Sequence, residues 1–508
     1  MNTPQVLIVG AGPTGMTVAI ELRRAGMEVR IVDKSNHPAL YSQALVVQAR
    51  TLEQFQRYGL AERAVAEGQI LKGIRFWSEG KEIAAIDFKR IPSRYAYLLC
   101  LPQSRTEALL NEKMEALGVQ AERETELISV AQREGGVSSV LRHADGREET
   151  VDSRWVVGCD GAHSTVRKLM GIPFEGGGVG LFFSLGDLEL EGPDVPTDEL
   201  SLHLHEGDLV FMVRLSEKLT RMIVVLHTEQ KGEEKRELSI QDFQEAADRA
   251  GIRVKVRGSE WMTPFHVNDR QATAYRAGSC FLAGDASHIH SPAGGQGMNT
   301  GIQDVANLAW KLAAVARGAD EALLDSYHEE RSEVGRKLLK FTERGLKMGT
   351  ANPLMGWVRD AVLPVVTQFD AVRNAMVGFV SETAIEYRSS SIVVDEGGEG
   401  SLRAGDRMPD LGLTGGTSLL RDWTEGEHLA LLLGATEAEV AEVTGELAHA
   451  KVVARREEDF EAEGRKLLGG GKMLLIVRPD GYVGFRGLLE AREAWRAYAR
   501  QDGLGAEA

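Results

Sequence analysis

Cysteine is scarce in this chain. Three of 508 residues, Cys100, Cys159 and Cys280, lie far apart in apolar or glycine-containing surroundings. That excludes a disulfide framework and a thiolate metal site, and it points to buried thiols in a reducing compartment. His288 and His290 have no acidic or cysteine cluster at ligand spacing beside them, so no metal is expected. Positive charge does not gather either. The net charge is −16 and the pI near 5.4, with no basic stripe to neutralise phosphates, which argues against a nucleic-acid partner. No uninterrupted apolar run is long enough to span a bilayer, so no membrane partner is expected. Met1 to Gln5 leads straight into a strand without the pattern of a signal peptide, and a cytoplasmic location is expected.

What is present is an ordinary globular composition, 43% apolar and 26% charged, in a chain long enough for two or three domains. Val6 to Val9 reads as a buried strand and runs directly into Gly10-Ala11-Gly12-Pro13-Thr14-Gly15. The first glycine permits a tight turn, the second lets backbone approach a pyrophosphate, and the third lets the next helix pack on the strand. A second strand, Val29 to Val32, ends at Asp33, with Lys34 beside it. A carboxylate roughly 20 residues after the loop can hold a ribose. With strand, helix, strand and acid in order, the motif indicates an adenine dinucleotide, either FAD or NAD.

The stretch from Cys280 to Lys311 organises the rest. A short strand ends at Gly284-Asp285. A loop with Pro292, Gly294, Gly295 and Gly297 follows, and then a helix with Ile302, Val305, Ala306, Ala309 and Trp310 at helical spacing. A glycine loop entering a helix presents free N–H groups at the positive end of its dipole, which suits an anion or a ring that becomes anionic. Asp285, at a strand end, can accept hydrogen bonds from sugar hydroxyls.

This stretch, with the glycine loop and the segment Gly158-Cys159-Asp160-Gly161, closely resembles the FAD-dependent aromatic hydroxylases, the single-component flavoprotein monooxygenases of the phenol and polyketide hydroxylase type. The resemblance covers nearly the whole chain. It implies tightly bound FAD, with NADPH or NADH as a transient reductant because no second glycine-loop domain is found. It assigns cofactor contacts to Gly10, Gly12, Pro13, Thr14, Gly15, Asp33, Lys34, Gln103, Asp160, Gly161, Asp285, Pro292, Gly295, Gly297, Met298 and Asn299. His288 would brace the loop. Arg167 and Lys168 can meet phosphates, and Arg105 shares the role of Gln103 less securely. The family commonly has an arginine where this chain has Gln43; Arg50 either compensates or forms a surface salt bridge. The implied reaction is hydroxylation of a phenolic or polycyclic aromatic substrate with O2, through a flavin C4a-hydroperoxide. No catalytic base is identified. The alternatives are a flavin-binding, redox-responsive protein without turnover, and a halogenase, which the missing Trp-x-Trp-x-Ile-Pro segment disfavours.

The expected fold class is α/β. A Rossmann-like FAD-binding domain takes residues 1–173 and 276–345. An inserted antiparallel-sheet substrate domain takes 174–275. A helical segment, 346–395, can pack on the core or on a twin subunit, as a homodimer. A thioredoxin-like domain, 396–508, has no redox cysteines and a structural role. Within the inserted sheet, His203 and His205 share a strand face, read as a solvent-facing edge in preference to a cavity wall. His163 reads as a structural hydrogen-bonding residue. Trp77, Tyr95 and Tyr97 read as core aromatics before cavity walls.

Overall fold

The computed structural model describes residues 4–38, 44–205, 208–226, 239–290, 295–350, 353–420, 423 and 426–505. Gln43 and Pro292 lie outside the described residues. The apolar run Val6–Val9 sits between Val29–Val32 and Trp155–Gly158, all parallel. Cys280–Leu282 joins beyond Trp155–Gly158, also in parallel. Both faces of such a sheet are covered at its centre, which is why Val6–Val9 reads as an unbroken apolar run, while Val29–Val32 carries the half-buried Arg30. Helix Pro13–Arg24 packs on it, and helix Gly297–Ala316 packs against that helix and the turn Gly284–Ala286.

A second, eight-stranded sheet stands beside the first. Its order is His288–Ile289, Lys255–Ala272, Phe174–Glu191, Leu219–Leu226, Asp208–Arg214, Glu199–His205, Gly73–Ser78 and Lys81–Asp87. The last two strands come from before residue 174. His288–Ile289 pairs with Arg270 and Gln271, so the segment after Asp285 is itself part of this sheet. The strand with His203 and His205 lies between two others and is not an edge.

The C-terminal unit has its own core. Its sheet runs Val394–Asp395, Val483–Leu488, Met473–Val477, His428–Leu433 and Ala450–Arg455. The third and fourth of these are fully buried along their length. Among the described residues, no helix is long and apolar enough to cross a membrane.

Candidate active site

The glycine loop is built almost entirely from backbone. Helix Pro13–Arg24 starts with proline at its first turn, has no side-chain cap at Gly12 and no acid in its first turn. Its leading N–H groups therefore have no partner within the helix. A Cβ on Gly15 would stand 1.8 Å from the Gly10 carbonyl oxygen, so only glycine permits this packing. A Cβ on Gly12 would meet nothing within 4 Å: that side of the loop is open. Asp33 accepts from Ala11 N at 2.7 Å and from Ser35 N at 2.8 Å, while Lys34 beside it is exposed. Asp160 Oδ2 accepts from Thr165 N at 2.6 Å, and its Oδ1 is buried without a hydrogen-bond partner. Gly161 follows with φ +77°.

The second half of the site meets the first through Thr14. Cβ atoms on Gly284 and Gly301 would each lie 2.7 Å from Thr14 Oγ1. The two glycines admit this side chain, and the starts of helices Pro13–Arg24 and Gly297–Ala316 are drawn together around it. The second helix also has no side-chain cap, at Gln296, and no acid in its first turn. Asp285 is exposed, yet crowding by protein and the nearby Asp304 carboxylate raise its pKa, with His288 opposing. That is the environment of a carboxylate on the wall of a crevice. Asp285 Oδ1 and the His290 ring would each lie 3.9 Å from a Cβ on Gly297. Two open helix starts for anionic groups and two strand-end carboxylates for hydroxyls form a set that fits FAD.

Several expected contacts are braces. Asn299 is buried; it accepts from Gln48 N at 3.0 Å and donates to Val46 O and Gly295 O, each at 2.8 Å. Gln103 accepts from Ala44 N at 2.9 Å and donates to Glu107 at 2.8 Å. Met298 packs half-buried against the main core. His288 is buried, with Nε2 2.9 Å from Asp304 Oδ2 of the following helix.

Other readings are corrected. Arg167 does not present its charge to a phosphate: it is buried, donates to Ala286 O and Ala162 O at 2.8 Å, and stacks on Phe174. Arg50 forms no surface salt bridge. It is buried between Glu53, Tyr482 and the Asp480 carbonyl. His203 is buried, stacked on Trp77 and bonded to Ser201, and burial pushes its pKa down to about 4. His163 is exposed, without a hydrogen bond to another side chain or backbone group among the described residues. Arg105 forms an exposed pair with Glu67 at 2.7 Å. Tyr95 is a core residue, while Trp77 and Tyr97 are half-buried.

The residues that sequence reasoning missed run down one face of helix Gly297–Ala316. Thr300, Gln303, Asp304, Asn307 and Lys311 are each at most 3% exposed. Buried polar groups need partners, and distant segments supply them. Asp304 accepts from Gly284 N at 2.9 Å and pairs with Arg331 at 2.7 Å. Burial opposes its ionisation, but Arg331 and His288 outweigh that and hold the carboxyl below its ordinary range. Asn307 and Lys311 meet Glu330, at 2.6 and 2.8 Å, and Arg478 of the C-terminal unit completes the cluster at 2.6 Å. The signal was there: polar residues at helical spacing inside an otherwise apolar helix.

The eight-stranded sheet has two unlike faces. Leu188, Met212, Met222 and Val224 pack on helix Ile240–Arg249. Phe183, Val225 and Val267 form a separate apolar cluster with the half-buried Leu181, Leu209, Ile223 and Phe265, and the rings of Phe183 and Phe265 lie 5.3 Å apart.

Fold and site define a flavin-dependent oxidoreductase. The FAD binding domain family model matches residues 3–342, and the model for the aromatic-ring hydroxylase C-terminal domain matches 401–503. The chain belongs to this family and is an FAD-dependent aromatic monooxygenase, using NAD(P)H and O2. It is 36% identical to 6-methylpretetramide 4-monooxygenase of Streptomyces rimosus, over 95% of this chain and 91% of that protein. It is 34% identical to pentachlorophenol 4-monooxygenase of Sphingobium chlorophenolicum, over 86% and 81%. The solved structure of the anhydrotetracycline hydroxylase OxyS from Streptomyces rimosus matches with a TM-score of 0.82 and 30% identity, covering 99% of this chain and all of that one.

Proposed function

We propose that this monooxygenase hydroxylates a fused-ring phenol lying against the apolar sheet face of Phe183, Ile223, Val225 and Phe265. The observation that carries the reading is this aromatic and aliphatic wall on the sheet that continues into His288–Ile289. The names of two relatives, which act on 6-methylpretetramide and anhydrotetracycline, support a polycyclic substrate over a single ring.

In this reading the glycine loop with Pro13 and Thr14, together with Asp33, Lys34, Asp160 and Gly161, holds the dinucleotide phosphates and sugar. Asp285, Gly295, Gly297, Met298 and Asn299 shape the ring end. FAD supplies the hydride acceptance and O2 chemistry when bound. Around it, the N–H groups opening helix Gly297–Ala316 favour negative charge at the ring end. The apolar wall orients the aromatic ring and keeps water out. The C-terminal unit, whose mixed strand directions support a thioredoxin-like reading, has no cysteine and acts as a structural clamp. Val362, Val365 and Phe369 are 48%, 54% and 62% exposed, which favours a homodimer through the helical segment; sedimentation of the holoenzyme tests it.

The substrate test is oxidation of NADPH and NADH by the FAD-loaded protein, with simple phenols and fused-ring polyphenols compared side by side. Product mass and H2O2 are followed together. A product heavier by one oxygen from the fused-ring compounds is expected. Turnover confined to single-ring phenols would overturn the substrate class.

A further inference from the structure

Glu382 stands in an unusual place. It follows helix Asp370–Val380, is 3% exposed and has φ +58°. A non-glycine residue held in the left-handed region costs energy and persists only where its surroundings require it. Those surroundings are one stripe of the helix that opens at the flavin site. The Thr300 hydroxyl donates to Glu382 Oε1 at 2.7 Å, and the Gln303 side-chain amide contacts Oε2. Gln296, just before the helix, donates to Phe379 O at 3.1 Å. Positions 296, 300 and 303 are successive turns of one face. The same segment accepts from Arg50 N through Ser381 O, at 3.4 Å.

We propose that Glu382 is a positioning residue of the flavin site: through Thr300 and Gln303 it locks the first turns of helix Gly297–Ala316, so that the N–H groups of Gly297, Met298 and Asn299 stay aimed at the cofactor. The inference rests on the cofactor reading above. Glu382's hydrogen-bonding partners, Thr300 and Gln303, are neutral. The charged groups that face it are Arg331, Asp304 and Arg50; burial, reinforced by the Asp304 carboxylate, outweighs the Thr300 hydrogen bond and the two arginines and pushes its pKa up to about 8. A buried carboxylic acid has one donor to place. Gln303 Oε1 is a buried acceptor without a partner, and turning the amide over sets it against that proton. Glutamine can make the same pair of bonds, donating to Gln303 and accepting from Thr300. Alanine can make neither.

The test compares Glu382→Gln, Glu382→Ala and Thr300→Val. FAD is titrated into each apoprotein, the two-electron potential of the bound flavin is measured, and apoprotein melting is recorded. Glu382→Gln should keep Kd and potential within about twofold and a few millivolts of the parent, and Glu382→Ala should weaken FAD about tenfold with a more negative potential. Thr300→Val should fall between them and covers the case in which Glu382→Ala does not fold. Two results would overturn the proposal: a folded Glu382→Ala with unchanged Kd and potential, or a Glu382→Gln as impaired as the alanine variant. Gly12→Val separates this from the cofactor reading. If it leaves FAD affinity intact, the site itself is misplaced, whatever Glu382 does.

Discussion

The two halves of helix Gly297–Ala316 bury the same kind of polar face and satisfy it differently. The leading half, at the flavin end, has Thr300, Gln303 and Asp304. They are met by Glu382, His288 and Arg331, within the chain's first 390 residues. The trailing half has Asn307 and Lys311. They are met by Glu330, which Arg478 of the C-terminal unit also pairs with, and Asn307 reaches Asp480 of that unit. Glu330 and Arg331 are neighbours on one helix, yet each serves a different half. Burial disfavours the charge on Glu330, but Arg478 and Lys311 hold it well below the usual carboxylate range, and burial lowers Lys311 to about 8. The trailing half is thus charge matched to charge, while the leading half mixes one ion pair with an acid whose charge burial disfavours. The first arrangement anchors a domain. The second holds the leading turns of the helix to neighbouring segments of the same half of the chain.

The comparison breaks most readily at Arg478. Arg478→Ala leaves Glu330 and Asp480 buried without their guanidinium, and it should cost about 3–5 kcal/mol. Urea unfolding measures this, and FAD affinity in the surviving folded fraction should change less than about threefold. Asp304→Asn should also destabilise, by about 3 kcal/mol, because Arg331 loses its counter-charge. Unlike the first variant it should weaken FAD, and a titration of apoprotein with FAD separates the two halves.

Glycine offers a sharper version of the same contrast. Gly15→Ala drives a methyl into the Gly10 carbonyl and should lower apoprotein stability by about 1–3 kcal/mol. Gly12→Ala enters open space, so it should leave apoprotein melting nearly unchanged and reduce FAD binding. A further effect is one of slope. Glu382 binds its proton more tightly folded than unfolded, so its contribution is complete below its ordinary pKa of 4.5 and disappears as pH rises through about 8. Glu382→Gln should flatten apoprotein stability across that window, measured by melting from pH 5 to about 9.

The local conformations of the candidate cofactor site were legible because they are backbone chemistry. A tight turn, an open helix start and a strand-end acid demand glycine, proline and aspartate at set spacings, as at Gly10 to Gly15, Asp33 and Gly284-Asp285. Side chains aimed by distant packing were not legible. Arg167 and Arg50 looked like charges for phosphate or solvent because nothing local announces the carbonyls and rings that bury them. His203 looked exposed because two partner strands, Gly73–Ser78 and Asp208–Arg214, cannot be inferred from its own alternation.

By itself, then, the sequence determined the dinucleotide fold, the family and the class of reaction, since these depend on local conformations that few residues allow. Tertiary structure alone decided which charges meet. Whether Arg331 pairs with Asp304, or Arg478 with Glu330 some 148 positions away, depends on low-dielectric burial that brings them within hydrogen-bond reach. No local pattern encodes that proximity.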